Sequence, residues 1–353
     1  MSTTSPTTPG AEPAAPPANT AAEQFARRRC SPAQRVQHVL HAYPAISPLL
    51  VLVVSFLVFT YLNPNFGTLR TQSLILQQVA VVAALAVGQT LIILTAGIDL
   101  SVGAIAILAM LFSAKLSADG GLPGPLAVLV GIAVGTAAGA VNGLLVTKLR
   151  LPPFIVTLGT LSVFTAMALL YSSGQSVQAS AMPDLMVWTG EIVNLGGLRI
   201  TTGVFMVVLL YVVIGFVLKQ TSWGRHLYAV GNDAEAARLV GISVNRVLLS
   251  VYTLAGLIYG ITAWILIGRA GAASPNAAAD ANLESITAVV IGGTSLFGGR
   301  GALLGTLLGA LIVGYFRTGL SLAGVDDQWR VLSIGLLVII AVSIDQWIRK
   351  VRA

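Results

Sequence analysis

The sequence predicts an all-α polytopic membrane protein of about ten transmembrane helices, and three observations carry that expectation. Charged residues make up 9% of the chain, against about 25% in a protein whose surface faces water. Hydrophobic residues make up 56%, gathered into windows approaching the roughly 20 residues that a bilayer-spanning helix needs. The 37 glycines and the aromatic share of 7% fit close-packed helices better than a lipid-facing barrel with aromatic girdles.

In chain order, residues 1–44 come first and stand apart. Residues 1–24 are mostly Pro, Ala and Thr, too poor in large apolar groups to offset the entropy of ordering. Arg27-Arg28-Arg29 and Arg35 follow, and nearly 45 residues precede the first apolar window. A secretory signal would place its apolar stretch close to the N-terminus, so this segment is expected to be a disordered cytoplasmic tail. A transmembrane domain is expected over 45–348, with spans near 46–62, 74–96, 100–114, 125–147, 153–170, 203–218, 247–267, 285–297, 302–320 and 331–348. The eighth is short and broken by glycine. Residues 349–353 are a basic C-terminus.

Lys and Arg favour the cytoplasmic side, which tests both count and orientation. Ten spans starting inside place fourteen of the 20 basic residues in the cytoplasm and six outside or at outer helix ends. Both termini are therefore expected inside, and the even count favours ten spans over nine. The net charge of +7 is topological on this reading, and no nucleic-acid partner is needed.

Several chemistries are disfavoured. A single cysteine, Cys30, allows no disulfide framework and no Cys-cluster zinc site, and His38, His41 and His226 are scattered. No GxxxxGK[ST] phosphate loop occurs, so the chain is not expected to hydrolyse ATP, and neither a catalytic residue nor a cofactor of its own is expected.

Glycines recur every four residues at Gly131, Gly135, Gly139 and Gly143, at Gly256 and Gly260, and at Gly301, Gly305 and Gly309. That spacing puts them on one helix face, where another backbone can approach, either inside one bundle or at a subunit interface. More unusual is Gly88-Gln89-Thr90 followed by Gly97-Ile98-Asp99-Leu100-Ser101-Val102-Gly103, in which Asp99 is the only formal charge between residues 73 and 114. A buried aspartate is costly unless paired, hydrated or capping. Gly97 can end one helix and Asp99 can cap the next through the amides of Ser101 or Val102. The run is either a tight helix–helix turn or a broken helix whose polar groups line a pathway. Gln89, Thr90, Gly97, Asp99, Ser101 and Gly103 are the pathway candidates here.

A second polar break runs from Ile291 to Gly301 and adds Thr294 and Ser295 to those candidates. Its glycines cannot hold a stiff helix, so it is expected to be a hinge or a re-entrant turn. Gly293, Leu296 and Gly299 repeat the spacing of Gly97, Leu100 and Gly103.

The longest inside loop contains Asn232 followed three residues later by Glu235, a capping-box spacing, and then Ala236, Arg238, Leu239, Val240 and Gly241. The short helix expected between Asn232 and Gly241 is not stable alone in water. Leu239 and Val240 need a surface, either their own bundle or another protein.

Taken in order, these runs resemble the permease subunits of ribose/xylose-type ABC sugar importers. The resemblance rests on 88–103, on Gly231-Asn232 through Gly241-Ile242 as a cytoplasmic coupling segment, and on the glycine-rich stretch 288–301, and it covers about 45–348. It implies a type II ABC importer-like bundle in the bacterial inner membrane. It further implies a second permease copy, a cytoplasmic ATPase with two nucleotide-binding domains in tandem that uses the ATP, and a periplasmic or lipid-anchored sugar-binding protein. Asn232, Glu235, Ala236, Arg238, Leu239 and Gly241 would then meet the ATPase. A branched-chain amino-acid ABC permease would look similar, and an ion-coupled transporter using Asp99 would leave the Asn232–Gly241 helix without a role.

Overall fold

The computed structural model describes residues 46–278 and 280–350. The tail over 1–44 and the last three residues of the basic C-terminus lie outside them. Thirteen helices account for nearly all the regular structure: α1 (Ile46–Leu62), α2 (Leu69–Leu94), α3 (Val102–Ala118), α4 (Gly124–Lys148), α5 (Pro153–Ser172), α6 (Asp184–Val187), α7 (Thr202–Gln220), α8 (Ser222–Asn232), α9 (Ala234–Leu239), α10 (Val244–Ala270), α11 (Ala281–Ile291), α12 (Leu303–Leu322) and α13 (Asp327–Lys350). Among them α2, α4, α5, α7, α10 and α12 are long and apolar enough to cross a membrane, while α1, α3 and α11 are apolar but shorter. The protein is an all-α polytopic membrane protein.

Several of the spans are apolar runs that begin at Pro, Thr or Ser. Pro152 and Pro153 open α5 at positions where no amide partner is lost, and the Thr68 hydroxyl accepts from the Thr71 amide to start α2. Helix α2 is the centre of the bundle. From Val79 to Leu94 every residue is buried, the pattern of a helix packed on all sides. By contrast, α5 and α7 keep one face of large apolar residues exposed, among them Phe154, Ile155, Val212 and Phe216.

The glycine stripes do their work inside the chain. A Cβ on Gly135 or Gly139 of α4 would collide with the backbone of α10 at Gly256, Gly260 or Tyr252, and the reverse holds for Gly256. Gly305 and Gly309 of α12 likewise meet the backbone of α11 at Gly292 and Ala288. These spacings therefore report packing within one bundle.

Three expectations need correction. The eighth span is not a helix over 285–297: α11 ends at Ile291 because Gly292 and Gly293 close it, the latter with φ +82°. The third span becomes helical only at Val102, two residues later than expected. The connection between α5 and α7 also carries strands that no alternation announced. β1 (Val177–Gln178) pairs antiparallel with β4 (Ala272–Ala273), and β2 (Ile192–Leu195) with β3 (Leu198–Thr201). Gly196 and Gly197 join the second pair, both at positive φ, as a two-residue hairpin turn requires.

Candidate functional site

The first break, residues 95–101, is a non-helical segment between α2 and α3 in which Thr95, Gly97, Asp99 and Ser101 are buried and Ala96 is exposed. Thr95, Ala96 and Gly97 return their amides to the last turn of α2, and Ala96 sits at φ +60°. The Ile98 carbonyl accepts from the Thr157 hydroxyl of α5 at 3.0 Å. Asp99 is 1% exposed. One of its carboxylate oxygens accepts from the Ser101 amide at 2.8 Å and from the Ser101 hydroxyl at 2.6 Å. Ser101 in turn accepts from the Asn142 side-chain amide of α4 at 2.8 Å.

The expected bond from the Ser101 amide to Asp99 is formed, but it does not cap α3, whose N-cap residue makes no side-chain cap bond. The arrangement is an Asx turn that leads into α3, since Ser101 itself occupies the N-cap position. Gly97 faces the Tyr252 hydroxyl, and Gly88 gives way to the Tyr259 ring. Gly103, in the first turn of α3, donates its amide to Asn282 of α11 at 2.6 Å.

Thr90 bonds the Ala86 carbonyl and shares a 2.8 Å hydrogen bond with Thr306 of α12. Gln89 is fully buried, and neither atom of its amide finds a partner within the described residues. Thr294 and Ser295, in the second break, are 2% exposed. All eight pathway candidates are thus interior to the chain: Gln89 and Thr90 in the last turns of α2, Gly97, Asp99 and Ser101 in the first break, Gly103 in the first turn of α3, and Thr294 and Ser295 in the second break.

The two breaks meet each other beneath α8. The Gly299 amide donates to the Leu94 carbonyl at 2.9 Å. The Tyr228 hydroxyl of α8 donates to the Gly301 carbonyl at 2.9 Å. Gly231 of α8 lies against Leu94 and Gly299 so closely that a Cβ would collide with the Leu94 carbonyl. Helix α8 therefore rests on both breaks through backbone contacts that only glycine permits.

Asp233, not Asn232, caps α9. Its carboxylate accepts from the amides of Glu235 and Ala236, both at 2.9 Å. Asn232 is the last residue of α8 and packs its backbone on Gly299. The sequence holds acceptors at both 232 and 233, and spacing alone does not choose between them. At the other end Gly241, at φ +88°, donates to the Arg238 carbonyl, and Ile242 donates to the Ala237 carbonyl. These two bonds form the Schellman closure expected of a glycine at C′. Glu235 and Arg238 form an exposed ion pair at 2.9 Å. Leu239 and Val240 are 84% and 77% exposed, so their own bundle does not cover them.

Asn142, Thr157, Asn282 and Tyr228 were not singled out by the sequence. Each is an isolated polar group within or beside an apolar window, outside the two glycine-rich runs from which the candidates were drawn. Uncharged groups buried in a bundle interior carry the same obligation to find partners.

No solved structure matches this chain. Among curated proteins, the fructose import permease protein of Rhizobium meliloti is 51% identical over 91% of this chain and 90% of its own length. The ribose import permease protein of Escherichia coli K12 is 37% identical over 84% of this chain and 92% of its own. A probable ABC transporter permease protein of Sinorhizobium fredii is 36% identical over 76% of this chain and 79% of its own. The family described as "Branched-chain amino acid transport system / permease component" matches residues 72–342, which take in both breaks and the whole of α8 and α9, and the chain belongs to that family.

Proposed function

We propose that this chain is the membrane-spanning permease subunit of an ATP-binding-cassette importer for a monosaccharide, in the bacterial inner membrane with both termini in the cytoplasm. The exposed Leu239–Val240 end of α9, held on a helix that rests on both breaks, carries the mechanistic part of the reading. A partner seated on α9 would push on α8, and α8 touches Leu94, Gly299 and Gly301 directly. That partner is a cytoplasmic ATPase with tandem nucleotide-binding domains, which uses the ATP; this chain contributes no cofactor. A second permease copy completes the pathway, and the exposed faces of α5 and α7 are available to a partner or to lipid. A periplasmic or lipid-anchored sugar-binding protein delivers the substrate. The names of the fructose and ribose relatives favour a sugar over a branched-chain amino acid.

The test is Arg238→Glu and Leu239→Ser in the complete transporter. An exposed ion pair contributes about 1 kcal/mol or less, so both variants should insert and fold normally. ATPase co-purification and ATP-driven sugar uptake should fall together. Full co-purification with unchanged uptake in both variants would count against docking at α9.

A further inference from the structure

We infer that a cleft between α2, α11 and α12, beside the end of α10, is a binding site for a neutral, polyhydroxylated solute such as a monosaccharide. The inference rests on the import reading above and locates the solute away from both breaks.

The cleft encloses about 230 Å³ and is lined by Gln78, Arg269, Asn276, Asp280, Glu284 and Arg317, with valine and alanine side chains between them. Arg269 is the next-to-last residue of α10, so the cleft lies toward the end of that helix remote from α8 and α9. Its floor is anchored by Glu284, which is buried and ion-paired with Arg317 of α12. Arg269 and Asp280 lie within electrostatic reach of Glu284, and the side chains of Gln78, Arg269, Asn276 and Asp280 are exposed.

Three features select the ligand. Two arginines against two carboxylates leave no net charge, so neither an anion nor a cation is favoured. Arg269 offers only donors, Asp280 only acceptors, and Gln78 and Asn276 offer both. A row of sugar hydroxyls, each donor and acceptor at once, matches that mixture. The apolar lining suits the C–H face of a sugar ring, and the open, exposed polar groups fit a site that must release what it binds.

The test uses the purified permease–ATPase complex, nucleotide-free and without binding protein, with D-fructose, D-ribose and L-leucine as probes at up to tens of millimolar. Saturation-transfer NMR should show a sugar bound to the wild-type complex. Arg269→Ala should weaken that binding about tenfold or more, the loss of a charge-assisted hydrogen bond, and Gln78→Ala should weaken it less. Lys115→Ala, which removes a charge from the last turn of α3, should leave it unchanged. Glu284→Gln should abolish binding, but it can also disturb folding, so Arg269→Ala decides. Equal sugar binding in the wild type and Arg269→Ala, or none in the wild type while the complete transporter imports sugar, would overturn the site and leave the import reading standing. Binding of L-leucine in preference to both sugars, lost in Arg269→Ala, would overturn the sugar assignment at the site and in the import reading together.

Discussion

Ser101 donates to one oxygen of Asp99 twice, so what the break demands at position 99 is an acceptor rather than a charge. The side-chain oxygen of asparagine can accept both bonds. Alanine leaves the buried Ser101 amide without a partner, at a cost of about 1–3 kcal/mol. Asp99→Asn should therefore retain most sugar uptake at matched membrane abundance, and Asp99→Ala should lose both assembly and uptake in part. A carboxylate that bound a coupling proton or cation would behave differently, because asparagine would then abolish uptake as completely as alanine. Abolished uptake in an assembled Asp99→Asn transporter would revive ion coupling. The sequence showed this residue clearly, since one charge in a long apolar run is conspicuous. It did not show Asn142, whose contact with Ser101 spans 41 residues of chain and depends on how α3 packs on α4.

At the scale of the element, α9 is six residues long, too short to persist on propensity. Two bonds to Asp233 and the Gly241 closure hold it. Asp233→Ala removes both cap bonds at once, a loss of about 0.5–2 kcal/mol, whereas Asp233→Asn supplies the same acceptor. The alanine variant should insert normally yet co-purify less ATPase, and the asparagine variant should match the wild type. Equal ATPase recovery from both would mean that the helix is not what the partner reads. Glu235→Pro would be a weaker probe of the same helix. Glu235 lies in the first turn, so proline there costs only one of the two cap bonds. That α9 exists was legible from its alanines and its terminal glycine. That α8 is an amphipathic helix resting on both breaks was not, because Gly224 and Gly231 within it read locally as helix breakers, and their reason is the approach of Leu218, Leu94 and Gly299 from elsewhere in the chain.

For the whole molecule, the number of crossings turns on α11, whose 11 residues rise only about 16 Å, roughly half of the ~30 Å hydrocarbon core. Hydropathy could not decide whether such a piece spans. The positions of the two ends of the segment support a crossing. Arg269 closes α10 at the end remote from α9, and Gly301 is bonded to Tyr228 of α8. Between them the chain must return across the bundle, part as helix and part as the non-helical second break, in which Gly292, Thr294, Ser295 and Gly298 are buried while Phe297 and Arg300 are exposed. We propose that this passage counts as a crossing, which makes ten with both termini in the cytoplasm. The single native cysteine, Cys30, makes this measurable. In intact cells a membrane-impermeant thiol reagent should not label Cys30. In a Cys30→Ser background, Asn194→Cys on the exposed hairpin strand β2 should label from outside. In the same background Val240→Cys should label only after permeabilisation, in cells lacking the ATPase that would cover it. A nine-crossing chain would put its C-terminus outside, where a tag after Ala353 would be reached in intact cells. Labelling of that tag with Cys30 still shielded would show that α11 enters and leaves on one side, and labelling of Cys30 itself would invert the whole assignment.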